Sequence, residues 1–132
     1  MKKLGHLNRD IARVLASMGH TDSLVIADCG LPIPEGVECI DVSLALNVPG
    51  FFDVLDSVLA DFKVERAVFA SESAEHNAAV VERIAQMTAS EIEVEQVPHE
   101  TFKHRSRDAK AIIRTGECSP YANVILHSGV IF

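Results

Sequence analysis

The sequence predicts an α/β domain, a three-layer α/β/α sandwich with a largely parallel central sheet, over residues 1–132. Three observations carry this expectation. Short apolar runs at Leu24–Ala27, Ala67–Ala70, Ala111–Ile113 and Val124–Leu126 suit strands buried on both faces. Apolar residues at helical spacing separate several of these runs, and Gly, Pro, Asn and Asp cluster where one period gives way to the other. Strands alternating with helices form parallel sheets covered on both faces.

Taken in order, Ile11, Val14, Leu15 and Met18 mark a first amphipathic helix, with Asn8 as N-cap and Gly19 as its stop. Leu24–Ala27 is too short and too apolar for a surface helix. A loop rich in glycine and proline runs from Cys29 to Glu38, and Cys39–Leu46 forms a short strand or a turn. Phe51 or Phe52, Leu55, Val58, Leu59 and Phe62 share one face of a second helix. After the strand Ala67–Ala70, Ser73 is placed as an N-cap for a helix whose apolar face is Val80, Val81, Ile84 and Met87, with His76 facing solvent in its first turn. Glu91–Val97 alternates as an edge strand does and stops at Pro98. A short helix with Phe102 inward follows, then two apolar runs separated by Thr115–Asn123.

Composition narrows the function. Nineteen acids against twelve Lys and Arg give a net charge of −7, which disfavours nucleic acid and anionic membranes. Lys103, Arg105, Arg107 and Lys110 are the one basic cluster, and mixed with Asp108 they suit a solvated helix face. No apolar run approaches the roughly 18 residues of a membrane span, and a cytoplasmic protein is expected. Three cysteines without CxxC spacing suggest free thiols. None of the six histidines is paired at i,i+4, and His99 and His104 would stand about 140° apart on a helix, so no metal is expected.

In open α/β sheets ligands bind beyond the carboxyl ends of the strands. That rule gathers Asp28, Glu72, His99 and the loop Glu117–Asn123 along one edge. The usual dinucleotide and triphosphate loops are missing from the sequence, so a phosphorylated ligand is disfavoured and no cofactor is called for. Asp, Asn, His and Tyr together suit a neutral polyhydroxylated ligand, because carboxylate and amide bind hydroxyls while an aromatic face covers a sugar ring. A nucleophilic Cys118 or Cys29 is the other enzymatic option, although a neighbouring carboxylate would raise a thiol's pKa.

Four blocks of residues resemble the D-ribose pyranase family: Gly19–Asp22, Asp28–Pro34, His99–Lys103 and Ile113–Asn123. The likeness runs from Lys2 to Phe132. Cys29 stands where the family is expected to carry alanine, and related L-fucose mutarotases usually carry glycine where this chain has Ala122. The resemblance implies interconversion of the pyranose and furanose forms of β-D-ribose. It implies His20 as proton donor and Asp28, His99, Tyr121, Ala122 and Asn123 as sugar contacts, with Lys103 and Glu117 as further candidate contacts. A mutarotase for another free aldose such as L-fucose, or a sugar-binding module without turnover, are the alternatives.

His20 precedes the first strand and Asp28 ends it, so their backbones should lie some 20–25 Å apart. No single pentose bridges that distance. If both serve one sugar, His20 must come from a neighbouring chain through a heterologous contact. The resemblance implies a homodecamer of two stacked pentamers.

Overall fold

A computed structural model describes all residues, Met1–Phe132. In chain order it contains α1 (Arg9–Ser17), β1 (Ser23–Ala27), β2 (Glu38–Asp41), α2 (Phe51–Leu59), β3 (Val64–Ala70), α3 (Ser73–His76), α4 (Ala78–Ala89), β4 (Glu93–Val97), α5 (His99–Arg105), a 3₁₀ turn at Ser106–Asp108, β5 (Ala111–Arg114) and β6 (Val124–Ser128). The six strands form one sheet in the order β2-β5-β1-β6-β3-β4. As the alternating pattern of Glu91–Val97 suggests, β4 lies at an edge.

The sheet is more mixed than expected. Pairs β2–β5, β1–β5 and β3–β4 are parallel, but β6 runs antiparallel to both β1 and β3. The reason is the connection: Thr115–Asn123 contains no crossover helix, so the chain turns over at the sheet edge and comes straight back. The reversal brings the start of β6 to the edge where β1, β3 and β5 end.

Apolar side chains fill both faces of the sheet. On one face Ile11 and Val14 of α1, Phe51, Leu55 and Val58 of α2, and Val80 and Met87 of α4 pack on Leu24, Ile26, Phe69 and Leu126. On the other, Phe102 of α5 with Leu31 and Ala109 covers Val25, Val68, Ile112 and Ile125. From Leu24 to Ala27 the residues of β1 alternate between the two clusters, which is why these four are buried.

One helix boundary differs from the expectation. Ser73 is the first residue of α3 rather than a cap for the long helix, and its buried hydroxyl donates to the Ala70 carbonyl at 2.7 Å. The chain breaks at Asn77, whose side chain accepts from Val80 N and caps α4. At the end of α1, Met18 is the C-cap and Gly19 takes the C′ position expected of it, although the left-handed residue of the turn is Thr21 (φ 70°). Asn8 does cap α1, accepting from the Asp10 and Ile11 N–H groups.

Candidate active site

At the carboxyl edge of the sheet, Asp28 leaves β1 and meets Asn123 entering β6. The two residues clasp one another. The Asn123 Nδ2 donates to Asp28 Oδ2 at 2.7 Å, while Asp28 N donates to Asn123 Oδ1 at 2.8 Å. Gly30 N donates to the other carboxylate oxygen at 2.9 Å. Asn123 is fully buried, so its amide orientation is fixed by the Asp28 backbone and the carboxylate is held in one rotamer.

The loop around Asp28 is pinned from β5. Thr115 donates both its backbone N–H and its hydroxyl to the Ala27 carbonyl, at 2.9 and 2.8 Å, and the Arg114 guanidinium donates twice to the Cys29 carbonyl at 3.2 and 3.1 Å. Neither residue was visible as a site element in the sequence, because a strand-end Arg-Thr pair carries no motif.

His99 opens α5. Its backbone N–H donates to both oxygens of Glu72 at 3.0 Å, and this hydrogen bond, the largest of several causes, holds the Glu72 carboxyl below its ordinary range. The ring is stacked on Phe102 with centroids 6.2 Å apart and meets Tyr121 edge-on at 5.2 Å. Its Nδ1 is buried without a hydrogen-bond partner, an arrangement that proteins rarely leave unfilled.

Tyr121 has a left-handed backbone (φ 57°), unusual for an aromatic residue and a mark of conformation imposed by its surroundings. Asn77 supplies part of that restraint, donating to the Pro120 carbonyl at 2.8 Å and to Ser119 Oγ at 3.1 Å. His76, expected to face solvent, is exposed but lies with its ring 5.6 Å from that of Tyr121. Asp28, Gly30, Leu31, His99 and Tyr121 together line a cavity of about 220 Å³. That is below the roughly 300–1,000 Å³ of pockets for drug-sized molecules and suits a small polar ligand.

Other candidate residues sit outside this cavity. Burial pushes the Glu117 carboxyl up, but N–H groups of Phe51, Ser119 and Cys118 and the Ser119 side chain outweigh it and hold the group below its usual range. Glu117 thereby caps the N-terminus of α2, accepting from Phe51 N at 3.0 Å. Lys103 pairs with Glu100 at 2.7 Å and lines a neighbouring cavity with Pro32, Pro34, His104 and Arg107. The Ala122 methyl belongs to the apolar core, so only its main chain could face a ligand. The basic cluster is a solvated face as expected, with Arg105 on Glu95 at 2.8 Å and Lys110 near Asp22 at 3.6 Å.

His20 lies at the opposite end of β1. Its Nε2 is 3.0 Å from Glu65 Oε2, and the turn that carries it is tied to the end of β6 through Thr21 N to Ser128 O at 3.0 Å. There it lines a cavity of about 320 Å³ with Met18, Phe62, Ser128 and the terminal Val130–Phe132. Within one chain, Asp28, His99, Tyr121 and Asn123 converge and His20 does not join them.

A family model matches residues 1–131. The chain belongs to the RbsD / FucU transport protein family. Among its RbsD / FucU relatives, the D-ribose pyranases of Chromobacterium violaceum and Halalkalibacterium halodurans are 67% and 61% identical, each over the full length of both chains. The solved structure of Bacillus subtilis RbsD complexed with D-ribose matches with a TM-score of 0.96 at 46% identity, covering both chains entirely. A fucose mutarotase of Streptococcus pneumoniae in complex with L-fucose matches less closely, with a TM-score of 0.78 at 28% identity over 96% of this chain and 95% of that one.

Proposed function

We propose that this protein interconverts the pyranose and furanose forms of β-D-ribose, the D-ribose pyranase reaction, with Asp28, His99, Tyr121 and Asn123 holding the sugar. The observation that carries the reading is the cavity itself: a clamped carboxylate, a buried imidazole nitrogen without a partner, and an aromatic wall, on a chain that matches a D-ribose complex from end to end. Each group has a task. Asp28 accepts from sugar hydroxyls, Asn123 acts by holding the Asp28 carboxylate toward them, His99 Nδ1 completes its hydrogen bonding on the ligand, and Tyr121 covers the apolar face of the ring.

The reaction needs only proton movement. Ring opening places a proton on the ring oxygen O5 and removes one from the anomeric hydroxyl; the C1–O5 bond breaks and C1 becomes an aldehyde. Rotation within the open chain brings the O4 hydroxyl to C1. Its attack forms the C1–O4 bond, the O4 proton is given up, and the carbonyl oxygen is reprotonated as the new anomeric hydroxyl. Atoms and electrons balance within the sugar, so no redox group is needed. A residue able both to give and to take a proton serves both half-reactions.

His20 is assigned as the proton donor by its place in the family motif, and it serves the sugar of a neighbouring subunit. Its separation from Asp28 along β1 supports this, as does the exposed apolar end beside it: Ile131 is 90% and Phe132 fully exposed in the single chain. We take the assembly to be a cyclic homo-oligomer, a decamer of two pentamers, working in the cytoplasm without metal or cofactor. No helix is long and apolar enough to cross a membrane.

The test is NMR exchange spectroscopy of D-ribose with catalytic amounts of protein. The proposal expects faster transfer between pyranose and furanose signals. No acceleration with ribose, together with faster anomer exchange in L-fucose, would overturn it in favour of a fucose mutarotase.

A further inference from the structure

A second group of residues with chemistry lies where the N-terminal arm meets α2, in a cavity that shares no lining residue with the sugar cavity. The N-terminal arm lays His6 against α2, where Nδ1 is 3.1 Å from Asp61 Oδ2 and Nε2 is 3.0 Å from Ser57 Oγ. The His6 side chain is only 6% exposed, whereas Ser57 and Asp61 are both exposed.

Hydrogen-bond chemistry fixes the direction of this chain. The Asp61 carboxyl is held below its usual range, chiefly by the hydrogen bonds from the His6 side chain and backbone, so it is ionised and can only accept. A neutral His6 ring that donates from Nδ1 to this carboxylate turns the Nε2 lone pair to Ser57, whose hydroxyl then donates. The order carboxylate, imidazole, hydroxyl is that of an activated serine.

The backbone is shaped for the contact. Gly5 has φ +76°, a backbone conformation that favours glycine, and a Cβ there would stand 2.8 Å from Asp61 Oδ2 and push that carboxylate aside. A histidine needed merely to fasten the arm could do so through Asp61 alone. Here the second nitrogen is spent on a hydroxyl at the solvent side, and both His6 and Ser57 line a cavity of about 420 Å³ with apolar walls from Ile11, Val42 and Val54.

We propose that Ser57, His6 and Asp61 form a second catalytic site that takes an acyl group from small carboxylic esters with an apolar acyl chain. Ser57 Oγ attacks the ester carbonyl carbon while His6 Nε2 takes the hydroxyl proton. The tetrahedral adduct collapses, the C–O bond to the alcohol breaks, and His6 returns the proton to the leaving alkoxide. Water then attacks the acyl-Ser57 carbonyl with His6 again as base, releasing the carboxylic acid and restoring the serine hydroxyl. Asp61 holds the imidazole in its tautomer and stabilises the imidazolium as it forms.

The experiment treats the intact, assembled protein with an alkyl fluorophosphonate and with p-nitrophenyl butyrate. Stoichiometric phosphonylation is expected at Ser57 by peptide mass spectrometry, together with ester turnover. Ser57→Ala should abolish both, and His6→Gln should slow labelling about 100-fold or more, the usual contribution of a general base. Ribose exchange in Ser57→Ala serves as the control for folding and should be unchanged. Labelling spread over other serines, or labelling of Ser57 that is as fast in His6→Gln as in the parent, would overturn the proposal.

Discussion

Replacing Asn123 by alanine removes the clasp on which the sugar cavity depends. The substitution deletes one hydrogen bond to a charged group, Nδ2 to Asp28 Oδ2 at 2.7 Å, and one from a backbone N–H, Asp28 N to Oδ1 at 2.8 Å. Bonds of the first kind contribute about 1.5–3 kcal/mol and of the second about 0.5–1.5 kcal/mol, so the loss should be about 2–4.5 kcal/mol. Asn123 is fully buried, so little compensation from water is expected. Urea unfolding at fixed protein concentration, because assembly contributes to stability, measures the loss. The freed carboxylate no longer holds one rotamer, and ribose exchange should fall by at least about tenfold, or roughly 1.4 kcal/mol of barrier. A double-mutant cycle with Asp28→Ala should return a coupling of about 1–3 kcal/mol. A stability change under about 0.5 kcal/mol with exchange unaltered would refute the clasp as the organising contact.

Three further outcomes follow from other parts of the fold. A Cβ on Gly116 would stand 2.3 Å from the Ala45 carbonyl oxygen and 2.7 Å from Val48 N, both backbone atoms, so Gly116→Ala should cost about 3 kcal/mol or more or yield insoluble protein, as thermal melts and expression would register. Because the folded Glu117 carboxyl titrates below its unfolded value, its contribution is fully present above the unfolded pKa and lost as pH falls through the folded one. Glu117→Gln should therefore destabilise by about 1 kcal/mol at neutral pH, with the difference shrinking as pH falls below the ordinary carboxylate range of about 4.3 in urea titrations. Thr21 is β-branched with φ 70°, and Thr21→Asn, which tolerates that conformation, should raise stability by about 0.5–1 kcal/mol in the same assay.

Much of this molecule was legible from the sequence, for reasons that also mark where legibility ends. Side-chain periodicity reports burial on one face or two, and it located β1, β3, β5 and β6. It carries no information on strand direction, so the reversal of β6 was missed; the missing helix between Arg114 and Val124 was the available clue. Ser73 and Asn77 are both good caps, and only the broken backbone at Asn77 decides between them. In the site, Asp28, His99, Tyr121 and Asn123 were found because they follow the edge rule for α/β sheets. Glu117 follows the same rule yet faces α2, because an acid near a helix start serves the helix as readily as a ligand. The partners His6, Ser57 and Asp61 could not be joined in advance, since the arm and α2 are some fifty residues apart in the chain.

The most direct test of a sugar site shared between subunits uses two variants that each lack one half of it. His20→Ala and Asp28→Ala chains, inactive alone in ribose exchange, are co-expressed so that they assemble together. If each site takes Asp28 from one subunit and His20 from its neighbour, random assembly of equal amounts leaves about one site in four intact. Exchange should then recover to about a quarter of the parent rate. Mixed assemblies, verified by mass, that stay as inactive as either variant alone would contradict the shared site.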